Sequence, residues 1–306
     1  MIVQAIILTI TPPLAGWVTD QMRKKGNNRL PIIQAGISVV SMVFMAVALT
    51  VFVNPTGWIK WMLPVLIVLW LISMNIFHSP AISLIEFMGP SARFPQTLAI
   101  LVIFEDVAYA LEPSIMDLTG FLGAPLTFVL GGVLIFVTGW MLKNSLRSLP
   151  IARRDPYLQS GNRPSQFFRI ILIGLLTGIF SALFFNVFPD LLLNKLEWLK
   201  ANNWKGSYFV SILIAISALF AWPMSRMVKL WGLSRSLLIA FVALLLLSAI
   251  ILVSPSDLLT WVAVLAYPIA FSLLSVSALP MIFDSLSSQH KVLGVGIFFG
   301  CLGLPN

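Results

Sequence analysis

The sequence predicts an all-α membrane protein: about ten visible transmembrane segments gathered into two pseudo-symmetric helical bundles. Three observations carry that expectation. Of 306 residues, 59% are hydrophobic and only 10% charged, and the mean hydropathy is +0.98, too few charges to cover a water-soluble domain of this size. Apolar runs of membrane-spanning length recur from end to end. The cations are gathered in the turns between those runs, mostly in alternate ones, as topology in a bilayer requires.

The apolar segments fall at about 2–18, 31–53, 61–86, 97–116, 122–142, 169–189, 207–223, 236–253 and 259–282, and a tenth begins near Leu293. Short turns such as Asn54–Pro55–Thr56–Gly57 and Ser254–Pro255–Ser256 separate them. In lipid each segment has to satisfy its own backbone hydrogen bonds, so the runs are helices. Fifteen of the 19 Lys and Arg residues lie in one alternating set of turns; the other set holds Lys60, Lys195, Lys200 and Lys205. The rich side is cytoplasmic, and a plasma (inner) membrane is the expected location. That orientation puts Met1 outside. It predicts one further helix before residue 1 and a tenth run interrupted at Asn306. The polar, basic stretch "KNSLRSLPIARRDPYLQSGNRPSQFF" has no periodicity. It divides the chain into an N-terminal bundle (1–142), a cytoplasmic linker (143–168) and a C-terminal bundle (169–306).

Other classes are excluded by the same residues. The net charge of +8 sits in turns rather than on one basic face, which argues against nucleic acid as a partner. One cysteine, Cys301, and two distant histidines give neither a disulfide nor a metal cluster. No nucleophile–base constellation and no phosphate-binding glycine loop is present, so no enzyme is expected. No secretory signal opens the chain. No cofactor is expected beyond a coupling proton or sodium ion.

The two parts of the chain echo each other. "AGWVTDQM" (15–22) and "AWPMSRM" (221–227) each close a helix with a small residue and Trp before a cationic turn. Gly26 precedes Arg29 as Gly232 precedes Arg235, and Glu86 precedes Arg93 by the same interval as Asp284 precedes Lys291. Two like-oriented halves resemble the major facilitator transporters. The turn "GWVTDQMRKKGNNR" resembles that superfamily's signature between its second and third helices: Gly16, then Asp20, then Arg23 to Arg29. Gly16 permits close helix approach. Asp20 suits the positive N-terminal end of a helix from the other half, an arrangement that would hold the cytoplasmic side shut. A topology-setting turn alone explains the cations but neither Gly16 nor Asp20.

Longer stretches resemble the glycoside–pentoside–hexuronide:cation symporters, in particular their sucrose:proton branch. They are "GWVTDQMRKKGNNRLPIIQAG", "WLISMNIFHSPAISLIEF" and "YPIAFSLLSVSAL … GVGIFFGCLGLPN". Ile82 stands where that branch has Arg, Glu86 is one position out of register with its Asp, and "QTLA" replaces Arg-x-Ala-Asn. The resemblance implies secondary active transport by alternating access, with proton- or cation-coupled symport of a sugar or glycoside such as sucrose. The implied partners are the lipid bilayer and a small-molecule solute, possibly a disaccharide, handled by a monomer. The missing Arg residues favour the alternative, a non-transporting sensor or assembly factor on the same scaffold.

Ionisable groups at bilayer depth are functional candidates because they are costly there. Glu105, Ala108, Tyr109 and Glu112 recur at helical spacing and share one face; with Asp106 they form the expected solute and cation pathway. Asn75 and His78 lie three apart on the helix broken by Pro80 and join that pathway or a helix-to-helix hydrogen bond. Glu86 with Arg93, and Asp284 with Lys291, are expected as charge pairs at helix ends.

Overall fold

The computed structural model describes residues 2–24, 30–53, 56–57, 61–87, 94–147 and 164–305. These are almost wholly helical: α1 Ile2–Lys24, α2 Leu30–Val53, α3 Met62–Ser83, α4 Phe94–Ala110, α5 Glu112–Leu122, α6 Ala124–Arg147, α7 Phe167–Ala182, α8 Phe188–Lys195, α9 Glu197–Ala201, α10 Gly206–Trp231, α11 Leu233–Val253, α12 Asp257–Asp284 and α13 Lys291–Gly303. Every expected segment is helical, but not all have span character. Among the described residues seven helical stretches are long and apolar enough to cross a membrane, with α7 and α8 counting as one, against the roughly ten expected. α4 and α13 stop short, at 17 and 13 residues.

Two interruptions have local causes. The expected 97–116 segment divides at Leu111, because Pro113 has no N–H to continue the ladder. The path is nevertheless kept by Leu111 N–H to the Val107 carbonyl (3.1 Å) and Ile115 N–H to the Leu111 carbonyl (2.9 Å). Between α7 and α8 the residues Leu183–Val187 form a π-turn just before Pro189; such bulges recur at functional sites. α10 and α11 are joined by Gly232 alone, at φ +84°, a conformation open to glycine and costly for other residues.

The helices form two compact units that cut across the expected halves. Residues 1–87, 116–171 and 285–304 make the first; residues 88–115, 172–284 and 305–306 make the second. Thus α13 belongs to the first unit and α4 to the second. Most of the expected linker, residues 148–163, lies outside the described residues.

In the first unit α2 packs between α3 and α6, and α1 packs on α13 and α3. Phe44 of α2 fills the space over Gly132 of α6, and Ser41 Oγ donates to the Gly132 carbonyl at 2.9 Å. Small residues likewise let α1 and α13 touch backbone to backbone. A Cβ on Gly296 would fall on the Pro12 carbonyl, and one on Gly300 would lie 2.6 Å from the Thr9 carbonyl oxygen. Close approach of this kind replaces the hydrophobic effect as the source of association in lipid.

In the second unit α10 packs on α4 and α12, and α12 also on α11. Its centre is aromatic. Phe184 and Tyr267 are fully buried with ring centroids 5.1 Å apart, Phe188 lies 4.9 Å from Tyr267, and the Tyr267 hydroxyl donates to the Phe180 carbonyl at 3.1 Å. Trp198, Trp204 and Trp261 cluster where α9, α10 and α12 begin or end, with centroids 6.0–6.2 Å apart, as an interfacial aromatic belt would.

Candidate functional site

Helix α4 presents three faces. Leu98, Ala99, Val102 and Asp106 are buried along the seam with α10. Ile100, Phe104, Val107 and Leu111 are exposed and apolar, as a lipid-facing stripe must be. Glu105, Ala108, Tyr109 and, past the break, Glu112 are exposed as well, and this face is polar. Glu105, Glu112 and Asp106 all stand near enough to act electrostatically on the Tyr109 hydroxyl. Glu105 is solvent-accessible yet set among enough protein to be desolvated, the situation of a side chain in a recess.

The Tyr109 ring is backed by the π-turn. Its centroid lies 5.2 Å from Phe185, which in turn meets Phe184 at 5.4 Å and Phe271 at 5.8 Å. Carboxylates that accept hydrogen bonds thus flank an aromatic surface held in place by a packed layer. Asp106, the neighbour of Glu105, does not share this face. It is 4% exposed and turned into the α4–α10 seam beside Ser217.

In the first unit Asp20 and Arg23 are buried, 3% and 5% exposed. Asp20 Oδ2 accepts the backbone N–H of Leu293 at 2.8 Å, and Arg23 Nη1 donates to Asp20 Oδ1 at 3.3 Å. Leu293 is the third residue of α13, so its N–H is one that the helix itself leaves unbonded. The carboxylate caps α13 from a distant helix, where the positive end of the dipole stabilises it. Gly16 makes the approach possible: a Cβ there would fall on the Val292 carbonyl and within 2.8 Å of the Leu293 Cα. Arg29 and Arg93 lie outside the described residues, and only the backbone of Glu86 is described. Asp284 ends α12 exposed, and Lys291 opens α13 half-buried.

Asn75 Nδ2 donates to the Leu71 carbonyl of its own helix at 2.8 Å, and His78 packs its ring on Phe299 at 4.3 Å. Both stay part-accessible. The helix-to-helix hydrogen bond considered for Asn75 is made instead by Ser79, whose Oγ donates to the Pro12 carbonyl at 3.4 Å.

One cluster has no counterpart in the sequence reading. Ser165 Oγ lies 2.8 Å from Ser287 Oγ and 3.2 Å from His290 Nδ1; Ser287 Oγ is 3.1 Å from the same nitrogen. The Ser287 N–H donates to Ser165 Oγ at 3.1 Å, and the Gln166 N–H to the Ser285 carbonyl at 3.0 Å. Partial burial, then the charge of Lys24, pull the His290 pKa below its usual value, which favours the neutral ring at pH 7; in the tautomer with its hydrogen on Nε2, Nδ1 accepts from a serine hydroxyl. A histidine depressed on folding contributes stability that is complete above its unfolded pKa of about 6.5 and is lost as pH falls through the folded value. Acidification should therefore raise hydrogen exchange at the Ser287 and Gln166 amides beyond the intrinsic rate change, and His290→Gln should flatten that dependence. An unchanged wild-type profile between about pH 7 and pH 4 would contradict the assignment.

The spans and the all-helical packing define an integral, multi-pass membrane protein. Its fold is shared with a solved protein: the crystal structure of the human organic anion transporter MFSD10 (TETRAN) matches it with a TM-score of 0.69 at 12% identity, over 99% of this chain and 73% of that one. The likeness speaks for the fold and not for the glycoside–pentoside–hexuronide or sucrose branch. No protein-family model and no curated protein sequence matches the chain.

Proposed function

We propose that this chain is a secondary active transporter working by alternating access, and that the exposed polar face of α4 lines its solute path. The observation that carries the reading is the division of one helix into an exposed apolar stripe and an exposed acidic one. Acidic side chains cost at least ~2.5–3.5 kcal/mol each at the bilayer centre, so Glu105 and Glu112 need water rather than lipid beside them. An aqueous path lined by paired acids and a backed aromatic ring suits a polar solute. Carboxylates accept from sugar hydroxyls, and Tyr109 offers its face to the C–H side of a sugar ring. These features agree with the sugar or glycoside class that the sequence resemblance implies, with the fold it shares with known transporters, and with inward coupling to a cation gradient. The capped α1–α13 contact is the corresponding cytoplasmic latch.

The test is counterflow of labelled sucrose and maltose into proteoliposomes, with and without a pH gradient. Wild type should accumulate label. Glu105→Gln and Tyr109→Ala should each reduce the initial rate at least tenfold, while Phe104→Leu, on the apolar stripe, should leave it within twofold. Absence of counterflow in the wild type, or equal rates for Glu105→Gln and wild type, would retire the reading.

A further inference from the structure

We propose that the α10–α11 turn holds the headgroup of an anionic phospholipid, with Arg226, Lys229 and Arg235 around its phosphate and Trp222 at the level of its glycerol. The site lies wholly in the second unit and stands whether or not the chain moves a solute. The two turns that echo each other in sequence differ at one position. Trp17 precedes Asp20 by three residues and Lys24 by seven; Trp222 precedes Ser225 by three and Lys229 by seven. The first turn thus carries an acid of its own, which pairs with Arg23. The second has a buried serine in that place, and its Oγ donates to the Trp222 carbonyl at 2.7 Å.

The cations of the second turn face outward instead. Arg226, Lys229 and Arg235 are exposed, three like charges within ten residues, and among the described residues none of them enters an ion pair. Gly232 is the single joint between the two helices, so Lys229, three residues before it, and Arg235, three after it, come to the same depth. α12 runs back beside α11 and brings Asp284 to this end, yet that acid pairs with none of the three. An anion relieves the repulsion among them, and a phosphodiester has the oxygens that a guanidinium grips with two parallel hydrogen bonds.

The surroundings of these cations suit a lipid rather than a dissolved anion. Leu219, Trp222, Arg226 and Lys229 follow at i, i+3, i+7 and i+10 and share one side of α10. All four are exposed, and they pass from hydrocarbon to charge over about 15 Å of helix. The Arg226 Cζ lies 5.9 Å from the Trp222 ring centroid, so the cation rests on the aromatic group that settles at the edge of a bilayer. Leu230 and Trp231 are exposed beside Lys229, and apolar surface continues to the end of the helix. Acyl chains and glycerol cover such flanks; a phosphate ion in water leaves them bare. Orienting the chain in a membrane requires only that cations stand on this side. It requires neither the stack on Trp222 nor the loss of the internal acid.

The test is native mass spectrometry of the full chain in neutral detergent, titrated with phosphatidylglycerol and, separately, with phosphatidylcholine of the same acyl chains. Wild type should bind phosphatidylglycerol about tenfold more tightly, and added salt should narrow the difference. Arg226→Gln combined with Lys229→Gln should bring the two lipids within about twofold of each other. Lys143→Gln combined with Arg169→Gln, which removes two cations from the first unit on the same expected membrane side, should leave the preference intact. Trp222→Leu keeps every charge and should weaken phosphatidylglycerol binding about threefold through loss of the stack; it decides the matter where the first double variant is not monodisperse. Equal binding of the two lipids by wild type, an undiminished preference without Arg226 and Lys229, or an equal loss without Lys143 and Arg169 would overturn the proposal. Displacement of the lipid by an equal concentration of inorganic phosphate would overturn it too, since the site would then be one for a dissolved anion.

Discussion

Gly296→Leu is expected to abolish the folded first unit. The Cβ alone would fall on the Pro12 carbonyl and lie 3.0 Å from the Pro13 Cα, so backbone must move against backbone. Overpacking that flexible side chains can absorb costs about 1–3 kcal/mol; rigid α1 and α13 have no such route, and the extra leucine atoms widen the gap along the whole seam. The variant should lose the monodisperse species on size-exclusion chromatography in detergent, and Gly296→Ala should unfold at a lower temperature than wild type. Gly120→Leu is the matched control, because a Cβ at Gly120 meets nothing within 4 Å. A Gly296→Leu protein that elutes and melts like wild type would show that the seam is not tight.

Asp20→Ala is expected to have the second large effect, and for a different reason. It removes the acceptor of the Leu293 amide and the carboxylate that Arg23, which is 5% exposed, pairs with. Leaving one partner of a buried ion pair alone costs about 3–5 kcal/mol. Hydrogen exchange at Leu293 should rise by several orders of magnitude, and the thermal midpoint should fall. Asp20→Asn keeps an acceptor oxygen but not the charge, so it should lie between Asp20→Ala and wild type. Exchange at Leu293 that is the same in all three proteins would refute the cap.

Much of this was legible in the residues, because bilayer physics writes strongly into sequence. The apolar runs fall on helices, of which seven stretches among the described residues are long and apolar enough to cross a membrane, and Gly16 with Asp20 pointed to a capped, close helix contact. The spacing of Glu105, Tyr109 and Glu112 placed them on one exposed face. What escaped notice depends on three dimensions. Asp106 follows Glu105 in the chain but lies about 100° round the helix, in a different environment that only the partner helix defines. Ser217 looks like any small residue in an apolar run, since its meaning comes from what faces it. Phe185 could have been suspected from Pro189, whose missing N–H leads the chain into a π-turn. The two compact units were not legible in the sequence, because a linker marks where chain length accumulates and not which helices pack together.

That mixed ancestry of the units has a consequence for biogenesis. Asp20 and Leu293 are 273 residues apart, so at ~5–20 residues per second the ribosome needs tens of seconds to supply the partner of a helix it made earlier. Throughout that interval α1 stands in the membrane with a buried-type acid and a bare glycine groove awaiting an element not yet synthesised. Translation that stops before α13 therefore leaves α1 packed on α3 but without the helix whose amide Asp20 caps.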